Sequence, residues 1–102
     1  MYKYNKNFEK LNTLLEGNNT VDYWEWYFST KFKEKNDFYS NGKKDYFDEL
    51  QKLYVEFLKS KETSEKNLKN DNYYRRHSAI GLLNQLKAIE NIFADNGREL
   101  KV

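Results

Sequence analysis

The chain has 102 residues, a length that fits one domain with a small hydrophobic core. Its net charge of +2, from 18 basic and 16 acidic residues, is too balanced to indicate a nucleic-acid or membrane partner by charge alone. The absence of Cys excludes disulfides and thiolate metal sites, and the absence of a long apolar run excludes a membrane-spanning helix.

Aromatic side chains make up almost half of the apolar residues, at 18% of the chain against 38%. Disordered chains are poor in aromatics, so this composition predicts a folded protein. The first residues lack the apolar stretch of a secretory signal, which predicts a cytoplasmic protein. Abundant Lys, Asn, Tyr and Phe, with few Arg, indicate AT-rich codons and a low-GC bacterium or one of its phages or mobile elements.

Residues 5–16 form the first predicted helix. Steps of three and four residues place its apolar side chains on one helical face. These residues are Tyr4, Phe8, Leu11, Leu14 and Leu15. The sequence Gly17-Asn18-Asn19 then favours a turn.

Residues 21–35 are compatible with a helix or a strand. Thr20 can cap a helix in which Trp24, Phe28 and Phe32 share one face. In a strand, Trp24, Trp26 and Phe28 would alternate, and aromatic residues favour strands. The helix is preferred, because no second strand is evident to satisfy the backbone of a lone one.

Turn-forming residues at 36–37 and 40–42 separate this segment from a helix predicted over 44–61. That helix has one broad apolar face, in which Leu50, Leu53, Tyr54 and Phe57 are expected to be buried together. Residues 60–70 either extend the helix or form a solvated linker.

The last predicted helix begins at Tyr73 or Ser78, ends at Phe93 and is stopped by 95–97. Residues 98–102 are expected to form a frayed tail. No repeat or domain boundary is evident. The sequence therefore predicts an all-α fold, a compact bundle of about four helices in a single domain over 1–102.

No arrangement of residues indicates catalysis. His77 is the only His, and the side chain of its neighbour Ser78 points in a different direction on a helix, so the two cannot form a nucleophile–base pair. The acidic clusters, such as Asp45 with Asp48 and Glu49, lie where helix capping explains them. The sequence predicts a protein that is not an enzyme and has no metal site and no cofactor.

Two stretches combine rings with charge beyond what one helix face can bury. The first holds two of the three Arg of the chain beside aromatic residues, a mixture that is enriched in protein interfaces and can also bind nucleic acid. Its residues are Tyr73, Tyr74, Arg75, Arg76 and His77. The second is the aromatic run around Trp26, which points about 200° away from Trp24 on a helix. For the first stretch, the simpler interpretation is that the rings pack inward and the guanidinium groups are solvated. For Trp26, it is that another layer of the fold covers the ring, and the alternative is an exposed anchor.

The leading hypothesis is a small protein–protein interaction module from a phage or mobile element. It would bind and inhibit or regulate a larger host or defence protein, as anti-CRISPR proteins do. One alternative is a nucleic-acid-binding accessory protein that uses Lys residues and Arg75/Arg76. Another is a helical bundle of the bacteriocin-immunity type. No membrane partner is expected.

Overall fold

The computed structural model describes residues 19–101. Within this range 76% of residues are helical, in four helices and without a strand, which confirms the predicted all-α bundle. The first predicted helix, residues 5–16, lies outside the described residues.

Three segments run on from one another as the first helix of the described range: α1 (Val21–Trp26), a π-helical segment (Tyr27–Phe32) and α2 (Lys33–Ser40). Thr20 caps α1, as predicted, because its hydroxyl accepts a hydrogen bond of 3.1 Å from the Tyr23 amide. The strand alternative for residues 21–35 is therefore wrong.

The helical form brings aromatic side chains four residues apart into contact. The ring centroids of Trp24 and Phe28, and those of Phe28 and Phe32, are each 5.8 Å apart. The turn expected at residues 36–37 is also wrong, because the helix continues to Ser40. The chain turns at Asn41, in the left-handed conformation with φ 52°, as the second turn signal predicts.

Helix α3 (Tyr46–Leu58) begins where the Asp45 carboxylate accepts a hydrogen bond of 2.8 Å from the Phe47 amide. It is shorter than the predicted 44–61. The next residues are neither a continuation nor a linker, because they form a separate short helix, α4 (Lys61–Asn67). Asn72 then caps the longest helix, α5 (Tyr73–Asp95).

Helix α5 runs parallel to the first helix. Asn19, just before α1, bonds to His77 near the start of α5, whereas Lys33 lines a groove with Asn96 at its end. Helix α3 returns in the opposite direction, so that the ring of Phe47 contacts the ring of Phe93 at 5.7 Å.

The core lies between these helices and is formed mainly by the second half of α5. Its buried residues are Phe28, Leu50, Tyr54, Leu86, Ala88, Ile89, Ile92 and Phe93. Leu50 and Tyr54 are thus buried as predicted, while Leu53 and Phe57 are half-buried and pack against this cluster.

Residues 98–101 contact the bundle although they form no helix. The Arg98 guanidinium lies 4.0 Å from the ring centroid of Phe47. The amide of Lys101 donates to the side-chain oxygen of Gln51 at 2.8 Å, and Leu100 packs against the core. A cation–π contact and a hydrogen bond therefore hold this segment on α3.

Candidate interaction surface

The first turn of α5 carries five of the six predicted site residues. The Asn72 side chain accepts hydrogen bonds from the amides of Tyr74, at 3.0 Å, and Arg75, at 3.3 Å. This cap begins the helix at Tyr73, so residues 73–77 fill its first turn and their side chains point in successive directions around it.

Tyr74 and Arg75 point to solvent. The Tyr74 side chain is 68% exposed, and Arg75 is exposed beside it. Arg75 takes no part in the ion pairs found within residues 19–101. Both residues line a groove of about 300 Å³ between α4 and α5, whose apolar part is formed by Ala79 and Leu82. We call Tyr74, Arg75 and this groove the α5 surface.

Arg76 is directed back onto its own chain. Its guanidinium donates a hydrogen bond of 3.1 Å to the main-chain carbonyl of Asn70. That carbonyl offsets the cost of a cation near a helix N-terminus. The two adjacent Arg therefore differ: Arg75 faces solvent, whereas Arg76 stabilises the loop that precedes α5.

Tyr73 and His77 are half-buried and belong to the packing of the bundle. Their rings stack with centroids 5.5 Å apart and planes 17° apart. The His77 carbonyl accepts a hydrogen bond of 2.8 Å from the Asn19 side chain, whose nitrogen also lies 3.3 Å from His77 Nε2. These contacts attach the start of α5 to the start of α1.

Trp26 lies on α1, and its ring contacts within residues 19–101 are with its own helix. Its side chain is 48% exposed, its ring centroid lies 5.8 Å from that of Tyr23, and Lys31 Nζ lies 6.0 Å from its ring centroid. About half of the ring is thus open to solvent, and none of these contacts joins it to residues 73–77.

Two exposed rings were missed by the sequence analysis. Phe38 and Tyr39 are 75% and 81% exposed, more than any other large apolar side chain of the described range. The sequence carried a signal for Tyr39, because it follows Phe32 by seven residues and continues the same helical stripe. This signal was missed because a turn was predicted at residues 36–37, which would have ended the helix before Tyr39.

No three His, Asp or Glu side chains gather as metal ligands within residues 19–101. No helix in the same range has the length and apolar character needed to cross a bilayer. Comparison with known proteins finds no matching family model, no similar curated protein and no similar solved structure.

Proposed function

We propose that this protein is a small non-enzymatic interaction module that binds a larger protein through the α5 surface. The observation that carries the proposal is that Tyr74 and Arg75 are both exposed at the edge of a partly apolar groove and that Arg75 forms no ion pair within residues 19–101. Tyr and Arg carry much of the binding energy at protein interfaces, because each combines large contact area with hydrogen-bond donors.

The chemistry of this surface defines the partner region that fits it. Leu82, which is half-buried in the groove, favours a small apolar side chain of the partner there. Arg75 favours a carboxylate beside that side chain, because its planar guanidinium can bind both carboxylate oxygens. Of the two Arg, only Arg75 is available to a partner, because Arg76 already donates to the carbonyl of Asn70. A single available Arg favours a protein partner over a nucleic acid.

The proposed setting is the cytoplasm of a low-GC bacterium. Small size and the AT-rich residue usage support a phage or mobile-element protein that inhibits or regulates a host or defence protein.

The test is affinity capture from lysate of such a host, with the wild-type protein and matched variants. Tyr74→Ala and Arg75→Ala should each lose the protein that the wild type captures. Lys87→Ala, which removes an exposed cation elsewhere on α5, should retain it. Retention of the same protein by both Tyr74→Ala and Arg75→Ala would contradict the proposal. Capture of nucleic acid that depends on Arg75 would favour the alternative function.

A further inference from the structure

The end of the first helix extends beyond the bundle. At the level of Lys33 the chain already lies beside Asn96, the residue that follows the end of α5. The rest of α2 therefore has no α5 beside it, and α2 contains no buried residue. Its last turn carries Phe38 and Tyr39, whose rings meet edge to face with centroids 5.1 Å apart. We call these two residues, with the following 40–44, the α2 tip.

Hydrogen bonds hold the α2 tip in one shape without help from the two rings. The Asn36 side chain donates 3.0 Å to the carbonyl of Lys44, and the Gly42 amide donates 3.2 Å to the carbonyl of Asp37. Asn41 and Gly42 both have positive φ, which lets the chain reverse tightly. The exposed rings are thus dispensable for the turn, although exposing them to water is unfavourable.

The excess positive charge of the chain is concentrated at this end. Residues 31–44 contain five Lys and two carboxylates, a net charge of +3, while the whole chain carries +2. All five Lys are exposed, and the ion pairs found within residues 19–101 lie in α3 and α4 instead. Two of the five lie near aromatic rings of their own helix. The other three make no such contact: Lys33 precedes Phe38 by five residues on the same helix, and Lys43 and Lys44 belong to the α2 tip.

We propose that the α2 tip is a second docking site, separate from the α5 surface, and that it binds an acidic segment of a partner protein. Phe38 and Tyr39 pack against apolar side chains of that segment, and the three Lys attract its carboxylates. The two rings are perpendicular, so they do not offer the parallel faces on which successive bases of a nucleic acid stack. Exposed Glu34 and Asp37 also oppose a continuous phosphate backbone.

The experiment uses a displayed library of random peptides. Peptides that bind a Phe38→Ala/Tyr39→Ala variant are first removed, and the rest are selected on the wild-type protein. The proposal expects enriched peptides that combine Asp or Glu with apolar residues. Their affinity, measured with synthetic peptides, should fall by at least about tenfold in the Phe38→Ala/Tyr39→Ala variant. It should also fall in Lys43→Gln/Lys44→Gln and with increasing salt.

Tyr74→Ala is the matched control, because it removes an exposed ring of the α5 surface and should leave peptide affinity unchanged. Unchanged melting temperatures of all variants, expected for exposed positions, show that the losses are local. The proposal is overturned if no peptide is enriched or if the enriched peptides lack carboxylates. It is also overturned if oligothymidylate, tested in parallel, binds and loses affinity in the Phe38→Ala/Tyr39→Ala variant. These outcomes leave the α5 surface untouched, so the two proposals fail independently.

Discussion

Asn19 joins the start of α1 to α5 through both its side chain and its main-chain carbonyl. Its nitrogen donates to the His77 carbonyl, and its oxygen accepts from Trp24 Nε1 at 3.2 Å. Its own carbonyl accepts a hydrogen bond from the Asn84 side chain. The residue is 7% exposed, so water does not replace these partners easily. Gly81 makes the approach possible, because a Cβ there would lie 2.6 Å from Asn19 Oδ1.

This geometry predicts that Gly81→Ala lowers the free energy of unfolding when residue 19 is Asn, but does not lower it when residue 19 is Ala. In the wild type, the new methyl group displaces the Asn19 amide and should cost about 1–3 kcal/mol, more than the roughly 1 kcal/mol gained from helix propensity. In an Asn19→Ala background the clash is gone, and Gly81→Ala should be neutral or stabilising. Urea unfolding of the four proteins measures this cycle. The same destabilisation in both backgrounds would show that Asn19 does not restrict position 81.

Tyr46 links stability to pH. Its hydroxyl donates a hydrogen bond of 2.7 Å to the Phe28 carbonyl, and burial raises the pKa of Tyr46 from 10.0 to about 12. Burial, and then the nearby Glu90 carboxylate, also raise the pKa of Tyr54. A raised pKa means that the folded protein holds the proton more tightly than the unfolded chain does. This contribution to stability is therefore complete below pH 10 and is lost as the pH rises towards 12.

We expect the free energy of unfolding to fall between pH 10 and 12, and to fall less in Tyr46→Phe, which cannot ionise there. At neutral pH the same variant should lose about 0.5–1.5 kcal/mol, because the Phe28 carbonyl loses a hydrogen bond. Urea unfolding followed by circular dichroism at a series of pH values measures both. Deprotonation of Lys affects the wild type and Tyr46→Phe alike, so the difference between the two proteins isolates the contribution of Tyr46. An equal pH dependence in the two proteins would show that Tyr46 does not titrate differently on folding.

At the scale of elements, local signals predicted helix starts better than helix ends. Thr20 caps α1 as predicted, and α3 begins two residues after its predicted start at residue 44, with Asp45 as its cap, because a cap needs only a side chain and two or three following amides. The continuation of α2 through residues 36–37 was missed, because the Asn36 side chain donates its hydrogen bond to the carbonyl of Lys44, eight residues further along the chain. A single local pattern does not contain that contact, and the two residues 36–37 therefore resembled a turn.

Helix α3 shows the difference between a predicted apolar face and the part of it that is buried. Leu50 is fully buried, whereas Leu53 on the same face is only half-buried. Leu50→Ala should therefore cost about 2–5 kcal/mol, and Leu53→Ala clearly less. Val55→Ala, at an exposed position of the same helix, is the control and should cost about 0.5 kcal/mol or less. Melting temperatures and urea midpoints of the three variants test the order, and equal losses at positions 50 and 53 would contradict it.

For the molecule as a whole, the sequence predicted the fold class and the location of the α5 surface but not which of its residues are accessible. Tyr73 to His77 are adjacent in sequence and similar in composition. Their roles diverge through partners far along the chain or in the preceding loop: Asn19 for His77 and Asn70 for Arg76. Tyr73 stacks on His77, and the two remaining residues, Tyr74 and Arg75, carry the proposed function.

The two proposed surfaces lie at opposite ends of the bundle. The α5 surface is at the start of α5, and the α2 tip lies past its end, with about 30 Å of helix between them. One partner with two contact regions, or two partners, can therefore be bound without a clash between the sites.

The central claim is that binding depends on the α5 surface and folding does not. Once the captured protein is purified, calorimetric titration with the wild type, Tyr74→Ala and Arg75→Ala tests it, together with the melting temperature of each variant. We predict that each substitution weakens binding by about 1–2 kcal/mol or more, which is roughly a 5- to 30-fold increase in Kd, at an unchanged melting temperature. Unchanged affinity in both variants, or a loss of affinity that accompanies unfolding, would contradict the claim.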